Sequence, residues 1–289
     1  MSDAVGQRTE GGTPVDGGDS PVAAPPSVLR VMHGLALRDL RVLRRDWAEF
    51  LTRTLMQPLL FIFVFAFVFP RIGQTIGAGA AGEAGFATVL VPGLIAIAVL
   101  FQGITAIALP LSTELGGTRE IEDRVMAPVH VNVVAIEKVL FAASQAIVAG
   151  IVVLPILLLV PDAPVELSLA DPLLAVLVIP GTALLSGAIG LALGVTVEPR
   201  QIGLMFSVVI LPLTFLGAVY YPWASLDAIP WLQTLVLVNP LVYVSEGLRA
   251  VLTPSVPTMA PWVIVTVIYG YTAALLAYAL RGFARRTLA

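Results

Sequence analysis

The sequence predicts an all-α integral membrane protein: six transmembrane helices, an N-terminal amphipathic interface helix and an outer re-entrant helical hairpin. Three observations predict this class. Hydrophobic residues make up 58% of the 289 and charged residues only 12%, whereas a soluble domain carries roughly 25% charged residues. Six stretches approach the roughly 20 apolar residues that a bilayer core of about 30 Å demands. Finally, the basic residues fall almost wholly on one side of those stretches.

Taken in order, residues 1–26 are rich in Gly, Pro, Ser and Asp and hold no apolar run, which predicts a disordered tail. No charged segment followed by a short apolar one appears there, so the first span is expected to act as the insertion signal. Residues 27–53 mix Val28, Val31, Leu35, Leu40, Val42 and Leu43 with Arg30, Arg38, Arg41, Arg44 and Arg45. That pattern suits a basic helix lying in the inner interface, with Ser27 as its cap; charge that merely sets topology is the simpler reading. The membrane domain is 54–289, with spans expected at 54–72, 86–109, 139–160, 173–196, 202–221 and 262–280. Pro92, Pro155, Pro180 and Pro212 fall inside them and are expected to mark kinks.

Orientation follows from the basic residues. With the N-terminus inside, fourteen of the sixteen lie in inner segments, and only Arg71 and Arg249 lie outside. Both termini are therefore expected in the cytoplasm. The inner connection 111–137 is the most polar part of the membrane domain, with Glu114, Arg119, Glu120, Glu122, Asp123, Arg124 and Glu137. Pro128 is expected to end a helix within it. The outer segment 222–260 carries Trp223 and Trp231 just after Tyr220 and Tyr221, residues suited to an interface. Its apolar stretch 231–238 is too short to cross, and after Asn239-Pro240 a second helical stretch follows at 241–252. Two short helices dipping into the outer leaflet are expected there, a geometry that requires protein or a wet cavity around them.

The chemistry the chain excludes is as informative. There is no cysteine, hence no disulfide, thiolate metal site or cysteine nucleophile. No G-x-x-x-x-G-K-[ST] occurs, so no P-loop binds ATP here. No H-E-x-x-H or G-x-S-x-G appears, and His33 and His130 stand far apart. The net charge of −3 leaves no nucleic-acid footprint. Glu120, Glu122 and Asp123 read in isolation as a solvated helix face, yet they sit where a soluble motor would have to grip. Glu246 and Arg249, three apart on a helix, are close enough to pair; ionisable groups at membrane depth are functional candidates, against the plainer reading of a pair that orients its helix. In the first span the run Phe61-Ile-Phe-Val-Phe-Ala-Phe-Val-Phe69 spreads its rings around a helix, so most must meet lipid or packing partners. Ser186, Gly190 and Gly194 form a small-residue ladder, open to use within the chain or at a dimer seam.

Arg38-Asp-Leu-Arg-Val-Leu-Arg-Arg45 followed by Arg53 and Pro58, the loop Gly117-Thr-Arg-Glu-Ile-Glu-Asp-Arg-Val-Met-Ala-Pro128 with Lys138, and the outer stretch Phe215-Leu-Gly-Ala-Val-Tyr-Tyr-Pro222, Ile229-Pro-Trp-Leu232 and Asn239-Pro-Leu-Val-Tyr-Val-Ser-Glu-Gly-Leu-Arg249 carry a resemblance. In this order they resemble the permease subunits of type-two ATP-binding-cassette exporters, the group with the daunorubicin-resistance and nodulation-factor exporters. One departure is Met126-Ala127-Pro128, where a Thr-Pro pair is more usual. The resemblance implies a non-enzymatic permease, paired with a second copy or homologue in a bacterial cytoplasmic membrane. ATP and magnesium would belong to a separate P-loop ATPase. Glu120, Glu122, Asp123 and Arg124 would contact that ATPase. The entry helix with Arg38, Arg41, Arg44 and Arg45 would brace it among membrane lipids. The outer hairpin, with Tyr220, Tyr221, Trp231, Asn239, Pro240, Glu246 and Arg249, would close the exit.

The cargo expected on this resemblance is a lipophilic drug, polyketide or lipid, which would make the protein a multidrug-efflux or antibiotic-resistance component. A polysaccharide or glycolipid exporter of the same superfamily is the first alternative. An ATPase-independent secondary transporter is the second; against it, the spans show no chain of ionisable residues and no evident repeat of broken helices.

Overall fold

A helix that is apolar on every face satisfies its own backbone and can sit in hydrocarbon, and that demand shapes the long elements here. The computed structural model describes residues 34, 37, 40, 41, 44, 45, 47–68, 71, 72, 85–115, 131–159, 167–169 and 171–288. Among these the regular structure is all helical. The elements are α1 (Trp47–Ile62), α2 (Phe86–Thr113), α3 (Val131–Leu159), α4 (Pro172–Thr196), α5 (Ile202–Met205), α6 (Leu211–Phe215), α7 (Pro230–Leu235), α8 (Pro240–Leu252) and α9 (Pro261–Leu288). The protein is an integral membrane protein of the all-α class.

Among the described residues five helices are long and apolar enough to cross a bilayer, reaching six if the pair 230–238 and 240–252, bent by 98°, is counted as one. The expected fifth span, 202–221, takes another form. It is helical only to Phe215 and in three pieces, with a π-helical turn at Phe206–Ile210 between α5 and α6. A π turn breaks the regular ladder, and Pro212 stands in the first turn of α6 rather than inside a span. The long helices also run past the apolar stretches. The predicted 86–109 extends to Thr113, 139–160 begins at Val131, and 262–280 continues to Leu288. Backbone hydrogen bonding continues where side-chain hydropathy stops, so apolar counting trims helix ends. At the N-terminal side α1 crosses the expected 53/54 boundary without a break.

Local chemistry sets the ends. Asp171 caps α4, its carboxylate accepting the N–H of Leu173 and of Leu174, each at 3.0 Å, with Pro172 at the first position. Asn239 caps α8 through Oδ1 to the Leu241 N–H at 2.9 Å, again with proline next.

Helix α4 is the hub, packing on α2, α3, α8 and α9, while α1 lies against α2 and α3. The small-residue ladder explains how. A Cβ on Gly190 would stand 2.9 Å from the Ile104 carbonyl, and one on Gly194 would stand 3.0 Å from Leu111. Ser186 sits against Gly103. The ladder therefore serves the α2–α4 contact within one chain, where missing side chains let two backbones approach.

Candidate functional site

The hairpin is built around a buried ion pair. Glu246 and Arg249 are both fully buried, and Arg249 Nη1 donates to Glu246 Oε1 at 2.6 Å. A charge pair out of water is tolerated only when its remaining hydrogen-bonding capacity is met. Here the backbone meets most of it. Arg249 Nη2 faces the carbonyls of Ala218 at 3.0 Å and of Val219 and Val89 at 3.4 Å. Glu246 Oε1 accepts the Trp223 N–H at 3.0 Å, and Oε2 accepts the Met259 N–H at 3.1 Å.

One pair thus ties together the start of α2, the turn after α6, the entry to the 3₁₀ turn Trp223–Ala228, α8 itself and the approach to α9. The turn is shaped for this. Ala218 has φ 51, a left-handed conformation that a side chain makes costly, and it brings two successive carbonyls to the guanidinium.

Neighbouring contacts hold the hairpin in the same way. Asn239 Nδ2 donates to the Leu213 carbonyl at 2.7 Å, joining α8 to α6. Trp223 Nε1 donates to the Gln233 carbonyl at 3.1 Å, and Tyr243 donates to the Leu237 carbonyl at 3.0 Å. Tyr220 lies among Phe61, Phe65 and Phe215, with ring centroids 5.6, 5.7 and 6.2 Å away. Phe61 and Phe65 come from the phenylalanine run, which is π-helical at Phe63–Val68, and Phe215 ends α6. Tyr221 donates to the Phe215 carbonyl at 3.4 Å. Trp231 projects from α7 with 69% of its surface exposed, suiting an interfacial anchor.

A second polar feature crosses the bundle. Thr54 Oγ1 donates to Gln102 Oε1 at 3.1 Å, and Gln102 Nε2 donates to Gln145 Oε1 at 3.0 Å. This relay joins α1, α2 and α3. Sequence reading passed over it because Gln102 and Gln145 are each one uncharged polar side chain inside an apolar run and Thr54 stands at the edge of one; the signal available was the two glutamines within spans.

The third feature is the root of the polar connection. Lys138 Nζ stands 3.2 Å from Glu114 Oε2, pinning the end of α2 to the first turns of α3. Glu114 continues the α2 helix and Glu137 is buried on α3, so both belong to the helices that flank the predicted loop 111–137, of which 116–130 lie outside the described residues. The expected contact residues Glu120, Glu122, Asp123 and Arg124 lie outside the described residues, as does Arg38. Arg41, Arg44 and Arg45 are helical and exposed. The structure therefore gathers Tyr220, Tyr221, Asn239, Pro240, Glu246 and Arg249 in one cluster. The two backbone N–H groups and the carbonyls that complete it carry no side-chain signature.

Comparison with known proteins agrees with this architecture. Residues 32–253 match the family model described as ABC-2 type transporter. The chain is 30% identical over 210 residues to the inner membrane transport permease YadH of Escherichia coli K12, spanning 71% of this chain and 76% of that protein. The YadH permease of Shigella flexneri matches to the same extent.

Proposed function

Because the chain belongs to the ABC-2 type transporter family and is a transport permease, we propose that it is the membrane subunit of an ATP-driven exporter. A separate P-loop ATPase supplies the energy, and the cargo is a lipophilic compound. Two permease chains pair in the bacterial cytoplasmic membrane with their termini inside. The single observation that carries the reading is the root of the 116–130 connection. Two long helices, α2 and α3, are joined there by Lys138 and Glu114. A push on a loop rooted in this way is delivered to helices that run the depth of the bilayer.

In this reading Glu120, Glu122, Asp123 and Arg124 contact the ATPase, while Arg38, Arg41, Arg44 and Arg45 hold the entry segment at anionic lipid headgroups. The Glu246–Arg249 cluster keeps the outer hairpin in one piece, so that it moves as a unit when the pathway opens. ATP acts by favouring one arrangement over the other; ATP and magnesium stay on the partner.

The test is to tag the chain in its host, extract it in mild detergent and identify what copurifies. A P-loop ATPase in near-equal amount, with ATP hydrolysis, is the expected result, and Glu122→Arg should weaken its association while membrane insertion persists. A chain that purifies without any ATPase, under conditions that preserve other such complexes, would overturn the exporter and favour a secondary transporter.

A further inference from the structure

The Thr54–Gln102–Gln145 relay has a direction. Thr54 donates to the first carboxamide and the first carboxamide donates to the second, so Gln145 Oε1 is already occupied. Its Nε2 is left as the terminus. Among the described residues that nitrogen donates no hydrogen bond.

Its surroundings make this unusual. Thr54 and Gln102 are 5% and 2% exposed, so the relay is rooted in the bundle. Gln145 is only partly buried and borders the outward face of α3 that carries Ser144, Val148 and Ile151. It lies within the apolar part of a 29-residue helix, seven residues past Lys138. Ser144 on the same face turns its hydroxyl back to the Phe141 carbonyl at 2.6 Å and competes for nothing. A primary amide donor facing hydrocarbon without an acceptor is strongly disfavoured, and polar side chains within a span ordinarily point into the bundle.

We propose that the Gln145 carboxamide is a hydrogen-bonding subsite for a carbonyl-type acceptor on a bilayer-dissolved lipophilic compound, reached laterally at the edge of the outward face of α3. The proposal rests on the reading of the chain as a permease for lipophilic compounds and adds a chemical requirement to it. The relay fixes the carboxamide with its donors outward, so the subsite selects acceptors and discriminates against pure hydrocarbons. The same chemistry would accept a ketone or ester of a free compound or the ester of a membrane lipid.

The experiment is photolabelling of the full chain in vesicles made from diether phosphatidylcholine, which has no ester carbonyl. Two diazirine probes of equal length are compared, a long-chain ketone with its carbonyl at mid-chain and the corresponding alkane. Labelling of α3 by the ketone should exceed that by the alkane about fivefold, as one intramembrane hydrogen bond allows. Gln145→Met, which keeps the length of the side chain, should abolish that preference and leave alkane labelling unchanged; Ser144→Ala should leave both unchanged. If Gln145→Met fails to insert, Gln145→Leu takes its place. Equal labelling by the two probes, or a preference that survives loss of Gln145, would overturn the proposal.

Repeating the ketone experiment in diacyl vesicles identifies the source of the acceptor. Unchanged labelling assigns the subsite to free compounds, and suppressed labelling assigns it to lipid esters. Ketone preference in a chain that copurifies with no ATPase would keep the subsite and remove the exporter. Loss of preference beside a normal ATPase complex would remove the subsite alone.

Discussion

Arg249 and Ala218 meet through a backbone carbonyl: the guanidinium Nη2 donates to Ala218 O at 3.0 Å, and Ala218 holds the left-handed φ of 51 that aims it there. Both residues are fully buried. A strained alanine and a desolvated cation are each unfavourable alone, and each supplies what the other lacks. The turn gives the cation fixed dipoles in place of water, and the cation holds the turn.

Removing the cation should therefore cost more than removing the charge pair. Arg249→Met strands a buried carboxylate and is expected to destabilise the chain by about 3–5 kcal/mol. Adding Glu246→Gln should recover part of that loss, because a neutral carboxamide oxygen still accepts one of the Trp223 and Met259 N–H groups. Adding Glu246→Met instead should recover less, since both N–H groups lose their acceptor at about 1–3 kcal/mol each. The apparent Tm of detergent-solubilised protein checks the order. A Glu246→Met/Arg249→Met double variant more stable than the Glu246→Gln/Arg249→Met one would contradict the account.

The α2–α4 contact offers a repair experiment. A Cβ on Gly103 would collide with the Ser186 side chain, while the nearest Ser186 backbone atom stands 3.2 Å away. Gly103→Ala is expected to destabilise by about 1–3 kcal/mol, the usual cost of overpacking. Ser186→Gly should relieve most of that in the double variant. A double-mutant cycle on Tm reads the coupling; additive effects would mean that the two residues do not bear on one another.

How much of this was readable beforehand follows from where the signal resides. The apolar spans, the Asn239-Pro240 start of α8 and the Glu246/Arg249 pairing are side-chain patterns, and they were legible. The partners of that pair were not. Trp223 and Met259 contribute N–H groups and Ala218, Val219 and Val89 contribute carbonyls, which every residue possesses. The use of the Ser186–Gly190–Gly194 ladder needed the position of α2. The π turn at Phe206–Ile210 falls in a run as apolar as the other expected spans, so hydropathy alone carried no sign of it. Gln102 and Gln145 gain meaning only once α2 and α3 lie side by side.

At the root of the polar connection, a charge reversal and its swap test the coupling. The Lys138–Glu114 pair is only 13% and 14% exposed, so breaking it strands a largely desolvated charge and should cost more than the roughly 1 kcal/mol of an exposed pair. Lys138→Glu places like charges at that root and is expected to lower Tm and to reduce ATPase recovery several-fold, with recovery compared at equal amounts of folded, membrane-inserted protein. The swap Glu114→Lys/Lys138→Glu should restore recovery. If Lys138→Glu leaves the ATPase stoichiometry untouched, the root plays no part in coupling.

The orientation is testable with single cysteines, because the chain contains none. Asp227 is exposed on the 3₁₀ turn of the hairpin and Glu198 is exposed in the connection after α4. Thr118 lies in the 116–130 connection. The distribution of basic residues, with fourteen of sixteen assigned inside, predicts that Thr118 and Glu198 face the cytoplasm and Asp227 the outside. A membrane-impermeant maleimide should therefore label Asp227→Cys in intact cells, and Thr118→Cys and Glu198→Cys only in inverted vesicles. The reverse pattern would turn the hairpin to the cytoplasm and leave the 116–130 connection out of reach of any cytoplasmic ATPase. Labelling of Asp227→Cys and Glu198→Cys from the same side would instead show that the interrupted helical segment α5–α6 does not cross, since only that segment separates the two positions.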